Sequence, residues 1–254
     1  LCNMNMCKKP VIMIPSRLAS TRLPNKPLAD INGEPMIIQC LHRALEADIG
    51  PVIVACGDIE IVEVVKDWGG QAVITNETHK SGSDRIFEAL SLIDPEGKFD
   101  CIINFQGDLP TIDPLVIRSV LNPLKNEDVD ISTLGAIIKD ASECKDPNIV
   151  KAVVSLKKEQ RFGRVLYFSR EKVPYGKGPY YHHIGLYAFR RESLRRFVSF
   201  PCGVLEMRES LEQLRALENG LRIDLELVET VPLGVDTPAD LQIARKVLKS
   251  LKSA

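Results

Sequence analysis

Residues 11–14 are four consecutive apolar side chains, a run short enough to predict a strand buried on both faces, ended by Pro15. The loop after it is polar and stiffened by Pro24 and Pro27. Asp30-Ile-Asn-Gly33 reads as a turn, and Pro35 suits the first position of a helix reaching about Asp48. A second buried strand is predicted over 51–56. Asp58 then caps a helix through Trp68, with Ile61, Val62, Val64 and Val65 as its apolar face and Gly69-Gly70 as its stop. A short strand over 71–74, a polar loop over 78–85, a helix over 86–93 and a central strand over 99–105 complete this half. Strands alternating with helices predict a mainly parallel sheet covered by helices, an α/β fold.

The pattern changes near residue 139. A helix is predicted over 112–124 and a strand over 130–138. After them, 150–156 and 163–168 flank the polar turn 157–161, which is hairpin spacing rather than crossover spacing. A Gly- and Pro-rich loop over 174–179 suits covering a site or embracing a second subunit. His182 and His183 occupy adjacent positions of a strand over 182–189, so they face opposite ways and cannot chelate one ion together; one faces a site and the other is exposed. A short helix over 192–197 and a longer one over 205–219, closed by Gly220, follow. Leu211, Leu214 and Leu217 line the longer helix, and Glu209, Glu212 and Gln213 fit a solvated face. A strand over 225–228 and a helix over 238–251 end the chain. The expected division is a core over 9–139 and an elaboration over 140–254 that returns to it within one continuous domain.

Composition narrows the function. The 254 residues, 44% hydrophobic, suffice for a large core. Lys plus Arg is 33 against 34 Asp plus Glu, so no global field attracts nucleic acid or an anionic membrane. No apolar run approaches the roughly 20 residues of a membrane span, and the first residues lack the apolar core of a signal peptide; a cytoplasmic location is the expectation. Seven scattered cysteines with no C-x-x-C argue against a disulfide framework and structural zinc. Cys56 and Cys101 read as buried, reduced thiols.

Against that neutral background the first loop stands out. Arg17, Arg22 and Lys26, with the hydroxyls Ser20 and Thr21, follow the first strand, where open α/β sheets bind ligands. They suit a polyanion such as a triphosphate, although a solvated basic loop has the same composition. The Ser-Gly-Ser turn at 81–83, with Lys80 and Arg85, offers backbone N–H groups and charge to a nucleotide. Gln106-Gly-Asp108 ends another buried strand, and Gly234-Val-Asp236 precedes the last helix. Should both strand ends meet, Asp108 and Asp236 form a pair able to hold Mg2+ beside a triphosphate, since magnesium takes one or two carboxylates plus phosphates and water. With the cations, it would stabilise charge on a departing pyrophosphate, which predicts nucleotidyl transfer.

These residues carry a resemblance. Arg17-x-x-Ser20-x-Arg22-x-Pro24-x-Lys26 resembles the N-terminal motif of the sugar-acid cytidylyltransferases. With SGSDR, NFQGD, NIVKAV, LYFSR, HHIGLY, LEQLR and GVDTPADL in order, the chain is similar to the 3-deoxy-manno-octulosonate (Kdo) cytidylyltransferase family from about residue 11 to 247. The resemblance implies a Rossmann-like, glycosyltransferase-A-like three-layer nucleotidyltransferase fold with an added antiparallel subdomain. It implies a homodimer that joins CTP to Kdo with Mg2+, activating the sugar for lipopolysaccharide. It assigns Arg17, Ser20, Arg22, Lys26, Arg85 and Gln106 to CTP, with Gln106 also lining the sugar site, and Asp108 and Asp236 to the metal. Arg17 and Lys26 join that carboxylate pair in catalysis, and Arg170, His183, Tyr187, Glu212 and Gln213 go to Kdo.

Three positions depart from the family pattern: Leu109 replaces a common Glu, Asn25 a Gly, and Asp84 a Glu. Asn25 is compatible with a left-handed backbone. Leu109 puts a further carboxylate role in doubt and motivates one rival, a nucleotide-binding regulator without catalysis. The other rivals are cytidylyltransferases acting on sialic acid or 8-amino-Kdo, and a UDP- or GDP-sugar pyrophosphorylase, which the absence of a Gly-rich loop after the first strand disfavours. No G-x-G-x-x-G follows the first strand, which disfavours a Rossmann dehydrogenase.

Overall fold

The computed structural model describes residues 7–20, 22–157 and 159–251. Cys2, Thr21 and Lys158 lie outside the described residues. In chain order the first elements are β1 (Pro10–Ser16), β2 (Asp30–Ile31), β3 (Glu34–Pro35), α1 (Met36–Glu46), β4 (Val52–Cys56), α2 (Ile59–Asp67) and β5 (Gln71–Ile74). Next come α3 (Gly82–Ile93), β6 (Cys101–Asn104), α4 (Pro114–Ser119), β7 (Ile131–Ile137), β8 (Lys151–Ser155), β9 (Phe162–Ser169) and β10 (Tyr181–Arg190). The chain closes with α5 (Arg191–Ser199), α6 (Val204–Glu209), α7 (Leu214–Glu218), β11 (Ile223–Leu227) and α8 (Pro238–Leu251). Among the described residues no helix is long and apolar enough to cross a membrane.

Two compact units result, Lys9–Arg118 with Pro232–Ala254, and Ser119–Val231. The expected division at 139 falls earlier because β7 pairs with β10 and β11, both later in the chain. Residues from Pro232 onwards belong to the same compact unit as Lys9–Arg118.

In the first unit β5, β4, β1 and β6 lie side by side, every neighbouring pair parallel. Val11, Ile12, Met13 and Ile14 are fully buried on both faces of β1, each side chain stabilising the fold by roughly 1.5–3 kcal/mol. Pro15 does not end the strand. It pairs with Ala55 of β4, while the ladder with β6 stops at Met13, so its missing N–H costs that ladder nothing. Asp58 precedes α2 as expected, but its carboxylate makes no cap; it accepts from the Leu18 amide at 2.8 Å and so ties down the cationic loop. Helix α3 begins earlier than the apolar pattern indicates, because Ser81 Oγ accepts from the Asp84 amide at 3.1 Å and caps it. Cys56 and Cys101 are buried, and burial pushes the Cys56 pKa up to about 12.

In the second unit the strand order is β10, β7, β11, β9, β8, and β8 also pairs with β10, so the sheet curls round on itself. The β8–β9 hairpin is antiparallel, as its spacing predicts; β7–β11 is the parallel pair of this unit. The predicted helix over 112–124 is shorter, because Pro123 cannot donate within a helix and instead starts a 3-10 turn.

The predicted helix over 205–219 is broken. Ser210 adopts φ 54°, and the Glu209 and Ser210 carbonyls accept from the Arg170 guanidinium instead of from a following turn. His182 is half-buried rather than exposed, because β10 is flanked there by both β7 and β8.

Candidate active site

The carboxyl ends of β1 and β6, the start of α3 and the residues before α8 line a cavity of about 400 Å³ in the first unit. Arg17, Ser20, Arg22, Lys26, Arg85, Gln106, Asp108 and Asp236, eight residues singled out in the sequence, all line it. The loop that carries the cations is held locally. Asn25 takes the left-handed conformation (φ 53°, ψ 33°) expected of it, and Leu28 donates to its carbonyl at 2.9 Å, starting the short 3-10 turn that contains Lys26.

The two carboxylates meet through a backbone bond and a shared cation. Val235 donates to the Asp108 carbonyl at 2.9 Å, which fastens the loop after β6 to the segment before α8. The amides of Asp236 and Thr237 and the Thr237 hydroxyl donate to Asp240, fixing the turn into α8. Lys26 Nζ then donates to Asp108 Oδ2 at 2.9 Å and Asp236 Oδ1 at 3.0 Å, and Arg22 lies 3.1 Å from Asp236 Oδ2. Burial pushes the Lys26 ammonium down, but the two carboxylates outweigh it and hold its pKa above the usual lysine value. Carboxylate oxygens converging on one ammonium fit a divalent cation that needs one or two protein carboxylates. Among the described residues no cluster of three or more His, Cys, Asp or Glu forms a metal cage, so a cation here would complete its shell with ligand oxygens and water.

Arg85 is buried and aims its guanidinium along the same wall. Nη1 donates to Thr75 Oγ1 at 2.7 Å and to the Asn76 carbonyl at 3.3 Å, while Nη2 is buried with no hydrogen-bond partner among the described residues. Burial, then the charge of Arg17, pushes its pKa below the usual value. A buried unmet donor costs about 1–3 kcal/mol, which a ligand oxygen would offset. Gly57 stands where a Cβ would come within 2.7 Å of Arg85 Nη1, so a larger residue there would push the guanidinium out of this position. Gln106 donates to Asn104 Oδ1 at 3.0 Å.

Sequence reading missed Ser16 and His79, which also line the cavity. Ser16 ends β1 with a buried hydroxyl that has no partner among the described residues, and its position at a strand's carboxyl end was the available signal. The His79 ring pairs with Glu88, whose carboxyl is raised by burial but held low by the Asn76 amide and by His79. Nothing in the pattern marked that pair.

Of the residues that the resemblance assigns to the sugar acid, Arg170, His183, Tyr187, Glu212 and Gln213 lie in the second unit, whereas Gln106 lines the cavity of the first. The His183 ring is buried against Phe168 and Tyr187, at centroid distances of 4.7 and 5.5 Å, and Nε2 lies 3.1 Å from Thr133 Oγ1. Burial lowers its pKa to about 3, so the ring is neutral. Tyr187 is held above its usual pKa by burial and by the charge of Glu212. Glu212 Oε1 lies 3.8 Å from Arg215 Nη2, and Gln213 immediately precedes α7. Arg170 donates to the carbonyls of Glu209, Pro147 and Ser210 at 2.7, 2.9 and 3.2 Å. Three of its five N–H groups thus hold the chain in place.

The family model described as cytidylyltransferase matches residues 11–223. The chain is 61% identical over 241 residues to the 3-deoxy-manno-octulosonate cytidylyltransferase of Paramagnetospirillum magneticum, covering 95% of this chain and 98% of that one. It is 57% identical to the enzyme of the same name from Rhodospirillum centenum, with 95% and 94% covered. A solved structure of CMP:2-keto-3-deoxy-manno-octonic acid synthetase complexed with CTP aligns with TM-score 0.88 at 38% identity, over 96% of this chain and all of that one. The 4-diphosphocytidyl-2C-methyl-D-erythritol synthase of Anaerococcus prevotii, 13% identical with TM-score 0.61, shares the fold. The chain has an α/β nucleotidyltransferase fold and belongs to the 3-deoxy-manno-octulosonate cytidylyltransferase family.

Proposed function

We propose that this chain transfers CMP from CTP to Kdo, giving CMP-Kdo and pyrophosphate and so activating the sugar for lipopolysaccharide synthesis. The observation that carries the reading is the cavity of the first unit, where three cations and two carboxylates converge beside a buried, unmet arginine donor. Arg17, Arg22 and Lys26 bind the triphosphate. The start of α3, where Gly82 lines the cavity, adds backbone N–H groups and the positive end of a helix dipole. Arg85 Nη2 donates to a nucleotide oxygen, and Ser20 and Gln106 complete the polar lining.

Asp108 and Asp236 would hold Mg2+. Bound there, Mg2+ supplies a Lewis acid that neutralises phosphate charge and lowers the pKa of the attacking hydroxyl. The anomeric hydroxyl of Kdo attacks the α-phosphate in line with the departing pyrophosphate, and the cations stabilise the charge that moves onto it. Arg170 offers its two remaining N–H groups to the Kdo carboxylate. His183, Tyr187, Glu212 and Gln213 supply donors and acceptors for the hydroxyls. Asp108→Asn and Asp236→Asn are expected to lower turnover on the order of a hundredfold at saturating Mg2+. Near wild-type rates in both would remove the carboxylates from the mechanism.

The finer layering we propose is Rossmann-like and glycosyltransferase-A-like, in support of which α1, α2 and α3 all rest on the parallel strands β1, β4, β5 and β6. We place the enzyme in the cytoplasm, where CTP is found. We also propose a homodimer. Tyr175 in the Gly- and Pro-rich loop, Leu166, Val204 and Met207 are exposed apolar side chains of the second unit. Sedimentation should give twice the 28.3 kDa of one chain; a single-chain mass at micromolar concentration would remove the dimer.

A further inference from the structure

A second cavity, of about 450 Å³, lies within the second unit, and no step above uses it. Asn122, Lys125, Asn126, Arg161, Phe162 and Glu226 line it. Glu226 is 6% exposed, and its Oε2 has no hydrogen-bond partner among the described residues. A buried carboxylate oxygen without a donor costs free energy that a ligand N–H or O–H would recover. Burial raises its pKa against the pull of Asn122, Arg161 and Lys125.

The geometry around that oxygen selects a ligand. Glu226 on β11 stands directly opposite Phe162 on β9 in antiparallel register, so both side chains leave the same face of the sheet as neighbours. Phe162 is 44% exposed. A flat ring stacked on it presents its edge to the carboxylate. Lys125 and Arg161 leave the cavity one positive charge in excess over Glu226, which calls for an anionic group on the same ligand. The frame is fixed from behind. Arg190 donates to the carbonyls of Leu124, Asn126 and Val129 at 2.8, 3.0 and 2.9 Å, holding the Lys125 turn. The amide of Leu227 donates to the Arg161 carbonyl at 2.7 Å.

We propose that this cavity is a second nucleotide site, for a nucleoside monophosphate whose base carries an exocyclic amino group. The amine donates to Glu226, as cytosine and adenine amines donate to acceptor side chains elsewhere. The base stacks on Phe162, and the phosphate meets Lys125 and Arg161.

The test uses the full chain labelled with 4-fluorophenylalanine. It holds eight phenylalanines, and the fluorine resonance missing in Phe162→Leu belongs to Phe162. CMP, AMP, UMP and ribose 5-phosphate are titrated in turn. CMP and AMP should shift the Phe162 resonance saturably, UMP should need about tenfold more ligand, and ribose 5-phosphate should leave it unmoved. Lys125→Ala, at an exposed position, should weaken CMP about tenfold, and Glu226→Gln should erase the preference for CMP over UMP. Unchanged dispersion of the other resonances checks that each variant is folded; should Glu226→Gln fail that check, the ranking on the wild-type chain decides alone. A Phe162 resonance that no nucleotide moves, or that UMP and ribose 5-phosphate move as readily as CMP, overturns the proposal.

Discussion

A buried histidine sets one pH dependence of this protein. His183 has its pKa depressed to about 3 by burial, against 6.5 for an unperturbed ring. Between those values the unfolded chain binds a proton that the folded chain does not, so stability from this ring is full above about pH 6.5 and is lost as pH falls towards 3. The contribution changes by about 1.4 kcal/mol per pH unit inside that window. Urea unfolding near pH 7 and near pH 5 should therefore show a steeper acid loss in the wild type than in His183→Gln; parallel losses would mean the ring titrates normally. Lys26 illustrates the opposite balance. It too is largely buried, but two carboxylates around it keep the charged form favoured, so the same desolvation gives different outcomes according to what stands within 3 Å.

The segment between α6 and α7 shows how a polar framework overrides helix-forming periodicity. Leu211, Leu214 and Leu217 are spaced for a continuous helix, and the chain nevertheless turns at Ser210. Glu209 explains it, accepting from Ser169 Oγ at 2.8 Å and from the Arg170 amide at 3.0 Å, while Arg170 takes the carbonyls that a helix would use. Arg215 locks the two short helices together through Glu206, with both side chains about one-tenth exposed. Arg215→Ala is expected to destabilise the protein by about 3 kcal/mol, since it strands a mostly buried carboxylate; a loss below about 1 kcal/mol in urea titration would show the pair to be ornamental. The parallel strands were legible because a strand buried on both faces leaves a continuous apolar run, as at residues 11–14 and 52–56. The cationic loop and the two Asp-bearing turns were legible because charge next to a strand end is conspicuous. The kink at Ser210, the Asp58 bond to the loop and the His79–Glu88 pair depend on partners 9 to 40 residues away in the chain, and local pattern does not encode them.

For the whole molecule, the path of the chain matters more than its composition. The near-neutral balance of 33 basic and 34 acidic residues conceals a cavity where Arg17, Arg22, Lys26, Lys80 and Arg85 face two carboxylates. Only the return of residues 232 onwards to the first unit brings Asp236 to Asp108, 128 positions earlier. That return gives the cavity its chemistry, since neither half of the first unit carries both carboxylates. Pyrophosphate release, measured with CTP and Mg2+ in the presence of Kdo, sialic acid or 8-amino-Kdo, tests this account most directly. Release with Kdo, well above that with either other acid, is the predicted result. Release of none, with CTP still bound, would contradict the enzymatic reading and leave a nucleotide-binding protein with Leu109 in place of a carboxylate.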